Sequence, residues 1–250
     1  MFNVYLIMYF EKFQNFEMRY ISNLSGAYIA KNEHVLKNLQ LNRLTRKILE
    51  KCVYGTPVFK LGDEGLKILL ISGIHGNELP PQVAQIELLN QLHDKKLNHT
   101  IYLIPFASPK STMNNERTFN SMDLNRSAHI KNSLSNAIIE FALNEGVNFI
   151  ADFHSTSYNS NPGREAVFSS KAPSPESFLI ANHISQNVGS DVIFCNFAGS
   201  NYKGAVEDVS NLKGIPAVTA EVLSPFASVG DGSSQKSLMQ MKSFLDYFGI

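Results

Sequence analysis

The chain has no tryptophan, only two cysteines, no net charge and no long apolar run. Each shortage closes off a class of proteins. Cys52 and Cys195 cannot build a disulfide framework, and neither sits in a Cys-x-x-Cys metal pattern, which points to a reducing cytoplasm. The 22 Lys and Arg are balanced by 22 Asp and Glu. No basic cluster breaks that balance, so a nucleic-acid backbone has no complementary face here. No stretch approaches the roughly 20 apolar residues of a membrane-spanning helix, so no membrane role is expected. The first ten residues, MFNVYLIMYF, are apolar but lack a basic leader and a small-residue cleavage site. They are expected to form a first strand or an extended leader, not a signal peptide.

What the chain does have is an ordinary globular make-up, 44% hydrophobic over 250 residues. That length suits one α/β layer architecture. Residues 1–51 read as an N-terminal extension carrying an amphipathic helix over 33–51, with Val35, Leu36, Leu39, Leu44 and Ile48 at near-helical spacing. Residues 52–250 read as one catalytic domain with no linker inside it. In that part strands and helices alternate. Lys67–Ser72 (KILLIS) is a buried strand, and Pro80 and Pro81 open a helix that runs to about His93. Thr100–Phe106 is the next strand. The polar stretch Ala107–Lys131 has little periodicity and is long for a connection, and such loops are usually functional or disordered. A helix over Ser133–Asn144 and a strand over Val147–Asp152 follow, then a strand over Glu165–Ser169. Ser174 is expected to cap a helix reaching Asn187. Asp191–Cys195 is a strand, Tyr202–Leu212 a helix, Pro216–Ala220 a strand and Gln235–Tyr247 a closing helix. The pattern predicts a single three-layer α/β domain, with a mostly parallel, mixed central sheet covered by helices on both faces.

Three short patterns carry chemistry. His75-Gly76-Asn77-Glu78 follows the KILLIS strand at its carboxyl end, the edge where open α/β sheets bind ligands. An imidazole and a carboxylate three residues apart on a tight turn can both reach one divalent ion. Asp152-Phe153-His154-Ser155 follows another buried strand, and period 2 puts Asp152 and His154 on one face. Glu221 ends the apolar run Pro216–Val222, where an unpaired carboxylate is costly to desolvate. Each pattern alone is as compatible with a polar loop or a structural hydrogen bond as with a ligand. Together they lie at the carboxyl ends of strands predicted parallel, so His75, Glu78, His154 and Glu221 are expected to meet in one crevice. Two His and one Glu leave an open coordination position on zinc, which is the catalytic pattern, and a second carboxylate can act as general base. The long loop adds Arg117 and Arg126, whose planar forks suit a carboxylate or a developing oxyanion.

Four strings in this order resemble the zinc carboxypeptidase superfamily, and most closely its succinylglutamate desuccinylase/aspartoacylase branch. They are SGIHGNE (Ser72–Glu78), Arg117 followed by DLNR (Asp123–Arg126), DFHS (Asp152–Ser155) and GIPAVTAEV (Gly214–Val222). The resemblance covers roughly residues 55–248. It implies that one zinc per chain is held by His75, Glu78 and His154, with Asp123 orienting the His75 ring. It implies that Arg117 polarises the scissile carbonyl, that Asn125 and Arg126 grip the free carboxylate of a small-molecule substrate, and that Glu221 is the base and proton shuttle. The implied reaction is amide hydrolysis: removal of an acyl group from an N-acyl amino acid or similar small carboxylate. A metallocarboxypeptidase acting on short or cell-wall peptides is the alternative. A binding protein that has lost catalysis on the same scaffold is a third reading, against which stands the filling of every matched polar position. For the substrate-facing tyrosine of the family, Tyr202 and Tyr158 are both candidates. The family's C-terminal β-rich domain has no counterpart after the closing helix, so a more open cleft is expected.

Overall fold

The computed structural model describes residues 10–13 and 16–250. The leader or first strand expected over residues 1–10 falls almost wholly outside the described residues. The strands are β1 (Glu11–Lys12), β2 (Glu17–Ser22), β3 (Thr56–Leu61), β4 (Lys67–Ser72), β5 (Thr100–Ile104), β6 (Phe149–Thr156), β7 (Ala166–Ala172), β8 (Asp191–Phe197) and β9 (Ala217–Leu223). The helices are α1 (Glu33–Leu36), α2 (Arg43–Cys52), α3 (Leu79–Leu92), α4 (Pro109–Asn114), α5 (Leu134–Glu145), α6 (Glu176–Val188), α7 (Val206–Leu212) and α8 (Ser233–Asp246).

The strands form one mixed sheet in the order β1-β2-β3-β5-β4-β6-β9-β7-β8. Its centre, β5-β4-β6-β9, is parallel throughout. Alternation along a strand sends neighbouring side chains to opposite faces. In β4, Ile68 and Leu70 join the core beneath α2, α3, α6 and α8, whereas Leu69 and Ile71 join the core beneath α5 and α7. The two helical layers therefore bury both faces, which is why the central strands read as continuous apolar runs. This is the three-layer α/β domain that the alternating pattern predicts.

The structure differs from the expected elements in places that have physical causes. The helix expected over 33–51 is two helices. Asn32 caps α1 by accepting from His34 and Val35 N–H, and Asn42 caps α2 by accepting from Thr45 N–H at 2.8 Å. A side-chain oxygen that satisfies helix-start donors also ends the helix before it. The apolar stripe still serves one core: Val35, Leu39 and Ile48 are buried in it, and Leu36 and Leu44 pack against it. The boundary expected between residues 51 and 52 falls within the last turn of α2. β2 and β3, for which no strand was expected, extend the sheet through antiparallel pairs.

β7 runs antiparallel to β9, so the sheet is less parallel than the alternation suggests. The chain leaves β6 and returns to β7 through a loop with no helix, and a parallel return needs a crossover of a dozen or more residues. Ser174 does not cap α6. Its Oγ donates to the Asn211 carbonyl, and Pro175 stands at the cap position. The helix expected from Tyr202 begins only at Val206.

Candidate metal centre

β4 hands the chain to a tight turn, His75–Glu78, before Pro80 and Pro81 open α3. The turn is pressed against α4. A Cβ on Gly76 would lie 2.1 Å from the Ser111 carbonyl carbon and 2.3 Å from the Thr112 nitrogen. Gly76→Ala is therefore expected to push the turn off α4 and to cost about 1–3 kcal/mol, the range of overpacking. Thermal unfolding reads it directly, and an unchanged Tm would show that the turn can yield.

β6 extends to Thr156, so His154 sits inside the strand and not just past it, with Asp152 two residues earlier on the same face. β9 lies beside β6 in parallel register and sets Glu221 opposite His154. The loop after β5 brings Arg117 and Asp123 over the same edge. The order of the central strands thus gathers at one sheet edge what the sequence scatters over nearly 150 residues.

Glu78 takes one imidazole on each oxygen. His75 Nδ1 is 2.8 Å from Oε1, and His154 Nδ1 is 2.7 Å from Oε2, which also accepts from the Ser155 N–H at 3.1 Å. The far nitrogens are anchored as well: His75 Nε2 is 2.9 Å from Asp123 Oδ1, and His154 Nε2 is 2.7 Å from Asp152 Oδ2. The rings meet edge to face at 5.0 Å. His75, Glu78 and His154 are all buried, and each offers a donor atom within 4.8 Å of the others.

The electrostatics follow from that geometry. Burial pushes the Glu78 carboxyl up, but the His75 and His154 rings outweigh it and hold Glu78 well below the usual carboxylate range. Burial pulls His154 down, but Asp152 and Glu78 on its two sides raise it well above an ordinary imidazole. Asp123 is likewise held low against its burial by the His75 hydrogen bond and by Arg117. Glu221 goes the other way. Burial and the nearby Glu78 charge push it up to about 8, against the opposing pull of His154 and Arg117.

This donor set fits a divalent metal. Two imidazoles converge through Nδ1 on one carboxylate, and each is fixed through Nε2 by a second carboxylate, as metal-ligating imidazoles generally are. Two nitrogens and one oxygen suit zinc and leave a coordination position open. Asp152 Oδ1 and Glu221 Oε2 are buried with no hydrogen-bond partner among the described residues. The cluster therefore holds more acceptor capacity than its own donors satisfy, as a cation site does.

The other expected site residues line one cavity of about 380 Å³ beside this cluster. Arg117 reaches down to Glu78 Oε1 at 3.3 Å and grips Asp123 Oδ2 through Nε and a terminal nitrogen at 3.3 and 3.2 Å. Asn125 is fixed by accepting the Val206 N–H at 3.1 Å. Arg126 is exposed to the cavity, donates to the Asn125 carbonyl, and has no carboxylate partner among the described residues. Tyr202 lines the cavity edge-on to Phe168 at 5.1 Å, beneath the Arg126 guanidinium at 5.6 Å. Tyr158 is 74% exposed and lies outside the cavity wall. Phe168, Phe226 and Glu207 are among the wall residues that the sequence does not mark. An acidic residue in the first turn of a helix ordinarily reads as a solvated face, so Glu207 gives no signal in the sequence.

The model of the succinylglutamate desuccinylase/aspartoacylase catalytic domain matches residues 64–229, about two thirds of the chain. No curated protein sequence matches significantly. Among solved structures, an aspartoacylase family protein from Mesorhizobium loti shares 19% identity at a TM-score of 0.60, over 78% of this chain and 62% of that one. A succinylglutamate desuccinylase/aspartoacylase from Rhodobacter sphaeroides shares 14% at 0.62, over 78% and 60%. A metallo-carboxypeptidase from Burkholderia cenocepacia shares 12% at 0.59, over 78% and 62%. At these identities the likeness is one of fold. The chain spans about 60% of the length of these structures.

Proposed function

The chain belongs to the succinylglutamate desuccinylase/aspartoacylase family, and from that premise we propose that it is a zinc-dependent amide hydrolase that removes an acyl group from an N-acyl amino acid or similar small carboxylate. The observation that carries this reading is the joining of a His75–Glu78–His154 donor set to a cavity lined by Arg126, which has no carboxylate partner among the described residues. A metal alone would suit many hydrolases. A metal beside an arginine that has no carboxylate partner among the described residues suits a substrate that carries a carboxylate.

His75, Glu78 and His154 would hold the zinc, with Asp123 and Asp152 fixing the two rings. Bound there, the ion would act as a Lewis acid and lower the pKa of a coordinated water. Arg117 stands over Glu78 with its guanidinium partly exposed, placed to donate to a carbonyl oxygen as negative charge grows on it. Asn125 and Arg126 orient the substrate through its carboxylate. Tyr202 forms the wall beneath Arg126. Glu221, facing the same cavity, takes a proton from the attacking water and hands it to the departing amine.

Among the described residues no helix is long and apolar enough to cross a membrane. Cys52 and Cys195 are both free thiols. From the cysteine usage we propose a cytoplasmic setting for the reaction.

The test is a parallel assay of N-acyl amino acids and dipeptides with the zinc-loaded protein. Turnover of the N-acyl amino acids is expected, and turnover of peptides alone would favour the carboxypeptidase alternative. Arg126→Ala should raise KM about 10- to 100-fold, the worth of a charge-assisted hydrogen-bond pair, with a smaller change in kcat. An unchanged KM would remove Arg126 from the carboxylate site.

A further inference from the structure

Glu207 has no part in the hydrolysis described above, yet it is a buried carboxyl on the wall of the same cavity. Its surroundings make it more than an accident of folding. The next residue, Asp208, is consumed by structure, because its carboxylate accepts the backbone N–H groups of Gly199 and Gly204. The Glu207 carboxyl is held by Asn211, whose Nδ2 donates to Oε1 at 2.6 Å, with the Ser170 hydroxyl beside it. Asn211 is itself locked, since it also donates to the Ala217 carbonyl and accepts the Ala217 N–H, both at 3.0 Å. A fixed amide therefore holds the Glu207 carboxyl against the cavity.

No cation answers it. Among the described residues Glu207 makes no ion pair, and its charged neighbours Asp208 and Asp152 share its sign. Burial and the Asp208 charge push its carboxyl up to about 8. In its ionised form such a group is costly to bury unless a cation pairs with it. The walls around it are aromatic: Phe168 and Tyr202 stack edge to face, and Phe226 lines the same cavity. Aromatic faces favour a cation. Elsewhere on the wall stands Arg126, a cation without a protein anion. Among the described residues the cavity thus presents an arginine with no protein anion and a buried carboxyl with no protein cation, and an ammonium group beside Glu207 would draw that carboxyl into its ionised form.

We propose that Glu207 is a specificity-determining residue, and that the cavity takes an N-acyl amino acid whose side chain ends in an ammonium group, with the carboxylate at Asn125 and Arg126 and the ammonium at Glu207. The proposal rests on the amide-hydrolase reading and narrows its substrate class to the basic amino acids.

The probes are Nα-acetyl-L-lysine and its uncharged near-isostere Nα-acetyl-L-norleucine, assayed with zinc-loaded wild-type protein and with Glu207→Gln. Glutamine keeps an oxygen for Asn211, so the fold has no reason to fail. The kcat/KM ratio is expected to favour the lysine compound by about tenfold or more in the wild type, mainly through KM, and to fall by about tenfold in Glu207→Gln. Equal use of the two compounds, or a ratio untouched by the substitution, overturns the proposal. Calorimetry with free L-lysine and L-norleucine gives a second readout that needs no turnover. Selective binding of lysine that is lost in Glu207→Gln supports the role of Glu207 even if no amide is cleaved, in which case the hydrolase reading alone fails. Equal or absent binding of both, with no preference in turnover, overturns the proposal.

Discussion

Zinc content is expected to fall from about one ion per chain to near zero in both His75→Ala and His154→Ala, measured by plasma mass spectrometry after gel filtration. Three donors would hold the ion, and losing one would remove a third of its protein ligands. The two variants should nevertheless differ in stability, and that difference separates metal loss from misfolding. His154 stands between Glu78 and Asp152, and Asp152 is fully buried with one oxygen already unpartnered. Removing the ring strands a buried charge, which costs about 3–5 kcal/mol. His75 is held on its far side by Asp123, which is partly exposed and keeps Arg117 as a partner. Its loss should cost less stability and just as much metal. In the wild type, added zinc should raise Tm, because an ion that binds only the folded state stabilises it in proportion to the logarithm of its concentration over Kd. That rise should vanish in His75→Ala while the fold persists. Full zinc occupancy in His75→Ala would place the metal elsewhere.

The fold class was legible in the sequence, and so was the sheet edge at which the candidate residues gather, because of where those residues lie. His75, Glu78, His154 and Glu221 all belong to or follow buried parallel strands, and a run such as KILLIS is hard to read as anything else. Once β4, β6 and β9 are parallel neighbours, their carboxyl ends must adjoin. The elements that escaped depend on contacts the sequence does not display. β2 is half-buried and alternates only weakly, so its pairing with β3 is set by the partner strand and not by a pattern of its own. The direction of β7 follows from a loop that lacks a helix. The break at Asn42 needed the cap to be weighed above a continuous apolar stripe. Glu207 was hidden because its meaning lies in the cavity that it faces, and a cavity has no sequence period.

Glu221→Gln should leave zinc content unchanged and lower kcat by about 10²–10⁴-fold, the worth of general acid–base catalysis. Glutamine has the shape of glutamate and fills the same place in β9, but it cannot accept a proton. The setting of Glu221 suits a base. It lines the cavity opposite His154, one oxygen is sealed without a partner, and burial with the neighbouring Glu78 charge pushes its carboxyl up to about 8. A carboxyl at an ordinary value would hold a proton too weakly to carry one at neutral pH. One raised toward neutrality can both take a proton and give it up. A divalent ion held by His75, Glu78 and His154 would favour the ionised form and draw that value down, so the relevant value is that of the loaded protein. The active form is the carboxylate, so the rate must climb as pH rises through that value and then level off. In Glu221→Gln the residual rate should lose that rising limb. A variant that kept both its turnover and its pH profile would show that the proton goes elsewhere, and Glu207, the other raised carboxyl of the cavity, would be the next residue to replace.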